Sequence, residues 1–278
     1  MPHARLTHSS RPTLEFRQAQ IDDGNQSADE NVIDEVGTGG PPLVHVESRE
    51  RERSIQGLVT APRRARNDPN TNDWEQALAN YLVELERRVD TLQGDGYTFE
   101  DDLANESFDC VYHAVEWTLQ AGRPYEVEFD ATVTAGQGVL GSESLSVPSV
   151  TVGTFDAGAK LDGNLLPGLR QLTVRREFGI DPMPLYDKSS AEVNDIQVSG
   201  NRQHRIVFEG TWTGDNATRR GNEDTIEALV GQSGINMELR LPGYTLTGTV
   251  LDYSRDYEST YGTDQHQYRV EFIESKQV

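Results

Sequence analysis

The chain has 278 residues, 46 of them acidic and 25 basic, and only three of the basic ones (Lys160, Lys188 and Lys276) are lysine. A formal net charge of −21 excludes general DNA affinity through phosphate neutralisation, and a single cysteine excludes an intramolecular disulfide and a zinc site of several thiolates. Surplus carboxylates with almost no lysine suit a protein hydrated in molar salt, where charges are screened within about 3 Å, and point to a halophile; an acidic protein of an ordinary cytoplasm is the other reading.

The chain is long enough for one large domain or two ordinary ones. Residues 1–36 read as an N-terminal arm and acidic loop: a strand from Pro12 to Ile21, then a polar stretch from Asp22 to Glu35. Met1 to Phe16 lacks the apolar segment of a secretion signal, and nowhere do 18 uncharged apolar residues run together, so no membrane anchoring is expected. Residues 37–135 form a first β domain. It opens with the helix-breaking Gly37 to Pro42, followed by strands at Leu43 to Glu47 and Arg53 to Thr60 and a loop carrying Arg63, Arg64 and Arg66.

A helix is predicted over 73–92, with Asp73 as N-cap and Gln76 completing a capping box. Leu78, Tyr81, Leu82, Leu85 and Val89 draw one apolar stripe, and Glu84, Glu86, Arg87 and Arg88 are placed off it. Period-two strands follow at Tyr97 to Glu100, Phe108 to Leu119 and Pro124 to Val133. Residues 136–148 are a glycine-containing linker. Residues 149–278 form a second β domain, with strands at Ser149 to Phe155, Arg170 to Phe178, Asp195 to Ser199 and His204 to Thr213, and a turn-rich stretch around Pro182 and Pro184. A short helix from Glu223 to Val230 and strands at Asn236 to Leu241, Tyr244 to Tyr253 and Gln265 to Ile273 complete it.

Two strings recur. Gly96-Tyr97-Thr98-Phe99 and Tyr125-Glu126-Val127-Glu128-Phe129 in the first half match Gly243-Tyr244-Thr245-Leu246 and Tyr268-Arg269-Val270-Glu271-Phe272 in the second. Arg53 to Gly57 matches Arg205 to Gly210, and a helix follows each. Agreement in order as well as motif predicts a duplicated β unit, with Tyr97 equivalent to Tyr244 and Phe129 to Phe272. The fold class is therefore mainly β, with one long and one short helix.

The residues carry no pattern of an active site. His3, His8, His45, His113, His204 and His266 make no helical metal pair, and there is no nucleophile elbow, phosphate loop or dinucleotide fingerprint. Asp90, Asp95, Glu100, Asp101 and Asp102 cluster, but Leu92 stands where a calcium loop needs its second ligand. Cys110 lies in an apolar strand and reads as a buried, inert thiol. The arginines Arg49, Arg51, Arg53, Arg63, Arg64 and Arg66 read as a contact for carboxylates of a neighbouring subunit. No catalytic, cofactor-binding or metal residue is assigned, and no enzymatic activity is expected.

His204 to Gly210, the short helix, Leu241 to Gly248 and Tyr268 to Phe272 together resemble the β-sandwich or split-barrel unit of tail-tube, distal-tail and baseplate-hub proteins of long-tailed viruses. With the acidic composition, the resemblance suggests a tailed virus of haloarchaea. It implies two tail-tube-like domains and a homo-oligomeric, hub-like ring of three chains, with six as the alternative. The ring would contact neighbouring tail-tube and baseplate proteins in the virion tail, after assembly in the host cytoplasm, and let DNA pass without specific binding. The other reading is a β-sandwich module that binds a host-surface glycan or surface-layer protein, with Trp117, Tyr257 and Tyr261 as stacking platforms.

Overall fold

A computed structural model describes residues 4–9, 11–16, 18–22, 26–33, 43–60, 72–89, 97–123, 126–139, 150–184, 194–256 and 265–275. They form one 16-stranded sheet and two helices. The first half contributes β1 (Ala4–His8), β2 (Arg11–Phe16), β3 (Ala19–Asp22), β4 (Gln26–Ile33), β5 (Leu43–Thr60), α1 (Asn72–Arg87), β6 (Tyr97–Asp101), β7 (Glu106–Gln120) and β8 (Glu126–Ala135). β9 (Gln137–Val139) leads to β10 (Ala159–Leu161), β11 (Asn164–Leu166), β12 (Gln171–Pro184), β13 (Asn194–Thr213), α2 (Asn216–Glu227), β14 (Ser233–Leu239), β15 (Thr245–Asp256) and β16 (Gln265–Glu274).

The pairings repeat. β1 pairs with β2 and β6, β6 with β7, β7 with β8, β8 with β5, and β5 with β3, all antiparallel. In the same order, β10 pairs with β11 and β14, β14 with β15, β15 with β16, β16 with β13, and β13 with β12, again all antiparallel. The ends of each series are consecutive in the chain. β2 passes into β3 through Gln18 in a left-handed conformation, and β11 runs into β12 as Thr211 donates to Gly168 and Arg170 to Glu209. Each series therefore turns back on itself, which limits its open edges.

A one-residue bulge sits at the same place in both halves. His113 is extra on β7, between Tyr112 opposite Val133 and Ala114 opposite Thr132; Leu251 is extra on β15, between Val250 opposite Phe272 and Asp252 opposite Glu271. The inward face changes parity there. Cys110 and Tyr112 are buried before the bulge and Val115, Trp117 and Leu119 after it; in β15 Leu246 and Val250 are buried before it, and Tyr253 and Arg255 are the more enclosed residues after it.

Matching the bulges makes Phe129 the counterpart of Tyr268, and Phe272 that of Val133. The glycine opposite each ring agrees: Phe129 faces Gly57 and Tyr268 faces Gly210. A Cβ on Gly57 would lie 2.2 Å from Phe129 Cζ, and one on Gly210 would lie 2.6 Å from Tyr268 Cζ, so each aromatic ring lies across a bare backbone. The same register superimposes Ala4-Arg5-Leu6 on Ala159-Lys160-Leu161, each with buried ends and a half-buried basic centre.

This corrects the expected equivalences. Tyr97 lies in β6 opposite Cys110, whereas Tyr244 immediately precedes β15; the counterpart of Tyr97 is Ile235, opposite Gly248. The recurring tyrosine strings are what strands use anyway, while register is set by the ring-over-glycine contact and the bulge.

Several boundaries also differ. The expected acidic loop contains β4, which pairs with β5, and β5 is one strand where two were expected. Part of the expected linker is β9, paired in parallel with β13. Residues 150–155 are not a strand, and the short β10 and β11 come after them. Pro182 and Pro184 belong to β12, not a turn. There β12 pairs only with β13, and prolines at alternate positions can turn their missing donors away from the partner. α1 already includes Asn72 and Asp73, so Asp73 is not its N-cap, and α2 begins seven residues before the predicted helix, capped by Asp215.

Gly57→Ala and Gly210→Ala should each destabilise the fold by roughly 1–3 kcal/mol through overpacking, whereas Gly122→Ala, with nothing within 4 Å of the new Cβ, should be close to neutral. Chemical denaturation of the three variants measures this.

Candidate functional site

The most elaborated region is the joint between the two series. It begins with a backbone ladder. β7 pairs with β12 from Gln120↔Gln171 to Ala114↔Glu177, on the edge of β7 opposite β8. Ala121 extends the ladder by donating to Arg170 at 2.9 Å. Across it, the hydroxyls of Thr118 and Thr173 are 3.1 Å apart, and the bulge residue His113 meets Phe178 edge-on at 6.3 Å between ring centroids.

α1 is the second element of the joint. Its apolar residues wrap more of the helix than one stripe: Trp74, Leu78, Ala79, Leu82, Val83 and Leu85 are all buried, and so is Val89, just past the end of the helix at Arg87, which stops short of the expected 92. One side holds the first series, where Tyr81 donates to the Glu15 carbonyl at 2.8 Å. The other side holds the second: Glu75 accepts from Arg240 at 2.9 Å, and Gln76 donates to the Val150 carbonyl at 3.1 Å. Gln76 thus anchors the segment before β10 instead of closing a capping box.

Glu86 is the centre of the site and was expected on the solvent side. It is 3% exposed. Its carboxylate accepts from Trp117 Nε1 of β7 at 2.6 Å, from the Tyr244 hydroxyl at 3.0 Å, and from His204 Nε2 of β13 at 3.1 Å. His204 Nδ1 lies 2.6 Å from Glu274 of β16, and Arg176, also buried, sits opposite His204 in the sheet. Spacing could have revealed this, because 82, 85, 86 and 89 lie on one helical face and Glu86 interrupts it with a charge. Arg88, likewise placed off the stripe, is buried.

The electrostatics of the cluster are those of a static cross-link. Burial alone would lower the His204 pKa, but hydrogen bonds to Glu274 and Glu86 outweigh it and hold the imidazole above its ordinary value. Burial would likewise raise Glu274, but the bond from His204 dominates and keeps that carboxyl below the usual range. Burial pushes the Tyr244 hydroxyl well up, so it remains a donor. Both Glu86 oxygens are occupied by protein donors. The arrangement holds three strands to a helix and presents no nucleophile to solvent.

α2 repeats the device. By register Arg255 is the counterpart of Trp117. It donates to Glu223 at 3.1 Å and to Glu227 at 2.9 Å; Glu223 is 1% exposed, with Arg219 and His266 beside it. In each half a buried helix glutamate thus ties the helix to the strand after the bulge.

The other residues singled out in the sequence have structural partners. Glu100 and Asp102 hold Arg5 at 2.6 and 2.8 Å, and Asp101 accepts from the Leu103 and Ala104 amides; Asp90 and Asp95 lie outside the described residues. Arg53 is not a surface contact. It is buried and bonded to Glu106 at 3.2 Å, while the side chains of Arg49, Arg51, Arg63, Arg64 and Arg66 fall outside the described set. Cys110 is buried, and loss of solvation raises its thiol pKa. Trp117 is fully buried and cannot serve as a stacking platform; Tyr257 and Tyr261 lie outside the described residues. No helix of the described residues is long and apolar enough to cross a membrane.

Compared with known proteins, the chain matches no protein-family model and no curated protein.

Two outcomes follow for the cluster. Glu86→Ala strands the Trp117, Tyr244 and His204 donors and should cost on the order of 3–5 kcal/mol in urea denaturation. The pH dependence is bounded on both sides. His204 has a raised pKa in the folded state, so its contribution is complete below the unfolded value of about 6.5 and is lost as pH rises through the raised one. Burial lowers His113 to about 4, so its contribution is present above about 6.5 and is lost as pH falls toward 4. Thermal melting should therefore peak near neutrality, with His204→Gln flattening the alkaline side and, by releasing Glu274, also easing the acid limb, and His113→Gln flattening the acid side alone.

Proposed function

We propose that this protein is a structural component of a virion tail or baseplate, built from two related split-barrel units and assembled with copies of itself into a hub-like ring around a genome-delivery channel. The observation that carries the reading is the repeated pairing order joined by β7 and β12. Two units of one design meet through different strands, the β7 edge of one and the β12 edge of the other. Contacts between unlike surfaces generate rings when the rotation closes, whereas contacts between like surfaces stop at pairs.

The acidic composition supports a passage for DNA without specific binding, since carboxylates repel phosphates wherever salt does not screen them. The buried Glu86 cluster supports a load-bearing role over a catalytic one, because its polar groups are spent on one another. Two units per chain favour three chains per ring, giving six units around the axis.

Sedimentation and negative-stain imaging in molar potassium chloride test the reading. The expected result is a ring of three chains; a ring of six would retain the function and revise the stoichiometry, and a stable monomer at all concentrations would overturn the proposal.

A further inference from the structure

The two units carry the same hairpin turn, and only one of the two turns is covered. Pairing of β6 with β7 ends at Asp101↔Glu106, and the β14–β15 hairpin is prolonged to Leu239, which donates to the Tyr244 carbonyl at 3.0 Å. In the register set by the bulges these two rungs are counterparts, so residues 102–105 match 240–243 one for one. Leu103 corresponds to Leu241, and Asn105 to Gly243, both with positive φ.

In the second unit the turn is buried. It lies on α1, where Arg240 reaches Glu75 and Tyr244 reaches Glu86, and the bare backbone of Gly243 lies against the Thr151 carbonyl. Glu75, Ala79, Val83 and Glu86 share one face of that helix, and both Val83 and Leu241 are only 6% exposed. In the first unit the turn is open: Leu103 is 78% exposed, more than any other large apolar side chain among the described residues. The matching helix face is open too. Aligning the buried Glu223 with Glu86 puts Arg220 in the place of Val83, and Arg220 is exposed. Each side of a contact buried within the chain thus has an uncovered counterpart, the turn on the first unit and the helix face on the second.

We propose that the β6–β7 turn of one copy seats on α2 of the next, with Leu103 along the aliphatic stem of Arg220 and Asp102 at its guanidinium. This rests on the reading of the protein as a ring and names a contact that closes it. The occupant is a second copy of this chain. Because α1 and the 240–243 turn already hold the two units of one chain together, the remaining turn and helix are left to different chains, and unlike surfaces that meet head to tail close into rings. The charges are complementary, with the signs exchanged. Within the chain the turn carries the cation, Arg240, and the helix the anion, Glu75; between chains the turn carries the exposed Asp102 and the helix Arg220. An arginine stem can cover an apolar side chain while its head stays at a carboxylate, so one residue answers both Leu103 and Asp102. Asp102 already accepts from Arg5, and a carboxylate has room for a second donor.

The test uses full-length protein in molar potassium chloride. Leu103→Asp should raise the protein concentration needed for rings by roughly tenfold or more, while leaving the melting of the dilute, monomeric chain unchanged; Leu103→Met should keep the ring. In the double variant Leu103→Cys/Arg220→Cys, mild oxidation should link separate chains through positions 103 and 220, mapped by peptide mass, with Cys110 buried and out of competition. Rings that form as readily with Leu103→Asp, together with no 103–220 link, would overturn this inference and leave the ring reading intact. An unaltered chain that stays monomeric in molar salt would overturn both.

Discussion

A strand edge is a row of backbone donors and acceptors that must be paired or wetted, and the outer half of β7 meets that requirement with β12. Everything at the centre of the molecule follows from this choice. The ladder brings β13 and β16 within reach of α1, which places His204, held from behind by Glu274, against Glu86 and lets a single carboxylate collect donors from both halves. A charge so placed is tolerable only because Trp117, Tyr244 and His204 all donate to it, and they can do so only while the ladder keeps its register.

The scarcity of lysine has a counterpart inside the protein. Arg53, Arg88, Arg176 and Arg219 are all at most 5% exposed. A guanidinium can serve there because its planar fork bonds several acceptors at once and is less strongly hydrated than an ammonium group. Of these, Arg53 holds the half-buried Glu106 and Arg219 lies beside the buried Glu223.

Many strands of both halves were legible in the sequence because their residues alternate cleanly. β6, β7, β8, β14 and β16 fall within a few residues of their expected places, and so does α1. The repeat was legible in its order but not in its register, since tyrosine and valine recur in any strand and only the contact of Phe129 on Gly57 and Tyr268 on Gly210 distinguishes one alignment from another. The short β10 and β11 offer too few residues for a period to emerge. Glu86 was misplaced for a different reason: polarity assigned it to solvent, whereas its helical spacing put it on the buried face, and spacing prevailed because partners from other strands were available.

The paired bulges at His113 and Leu251 constrain how such a chain can change over generations. Beyond each bulge the inward side of the strand is the opposite of what it is before, and the residue that grips the helix, Trp117 in one half and Arg255 in the other, stands beyond it. Deleting one residue anywhere between bulge and grip would rotate that side chain to the far face, while deleting two would preserve it. Length variation among descendants of this chain should therefore come in even steps along β7 and β15, and the bulge should outlast the identity of the residue that forms it.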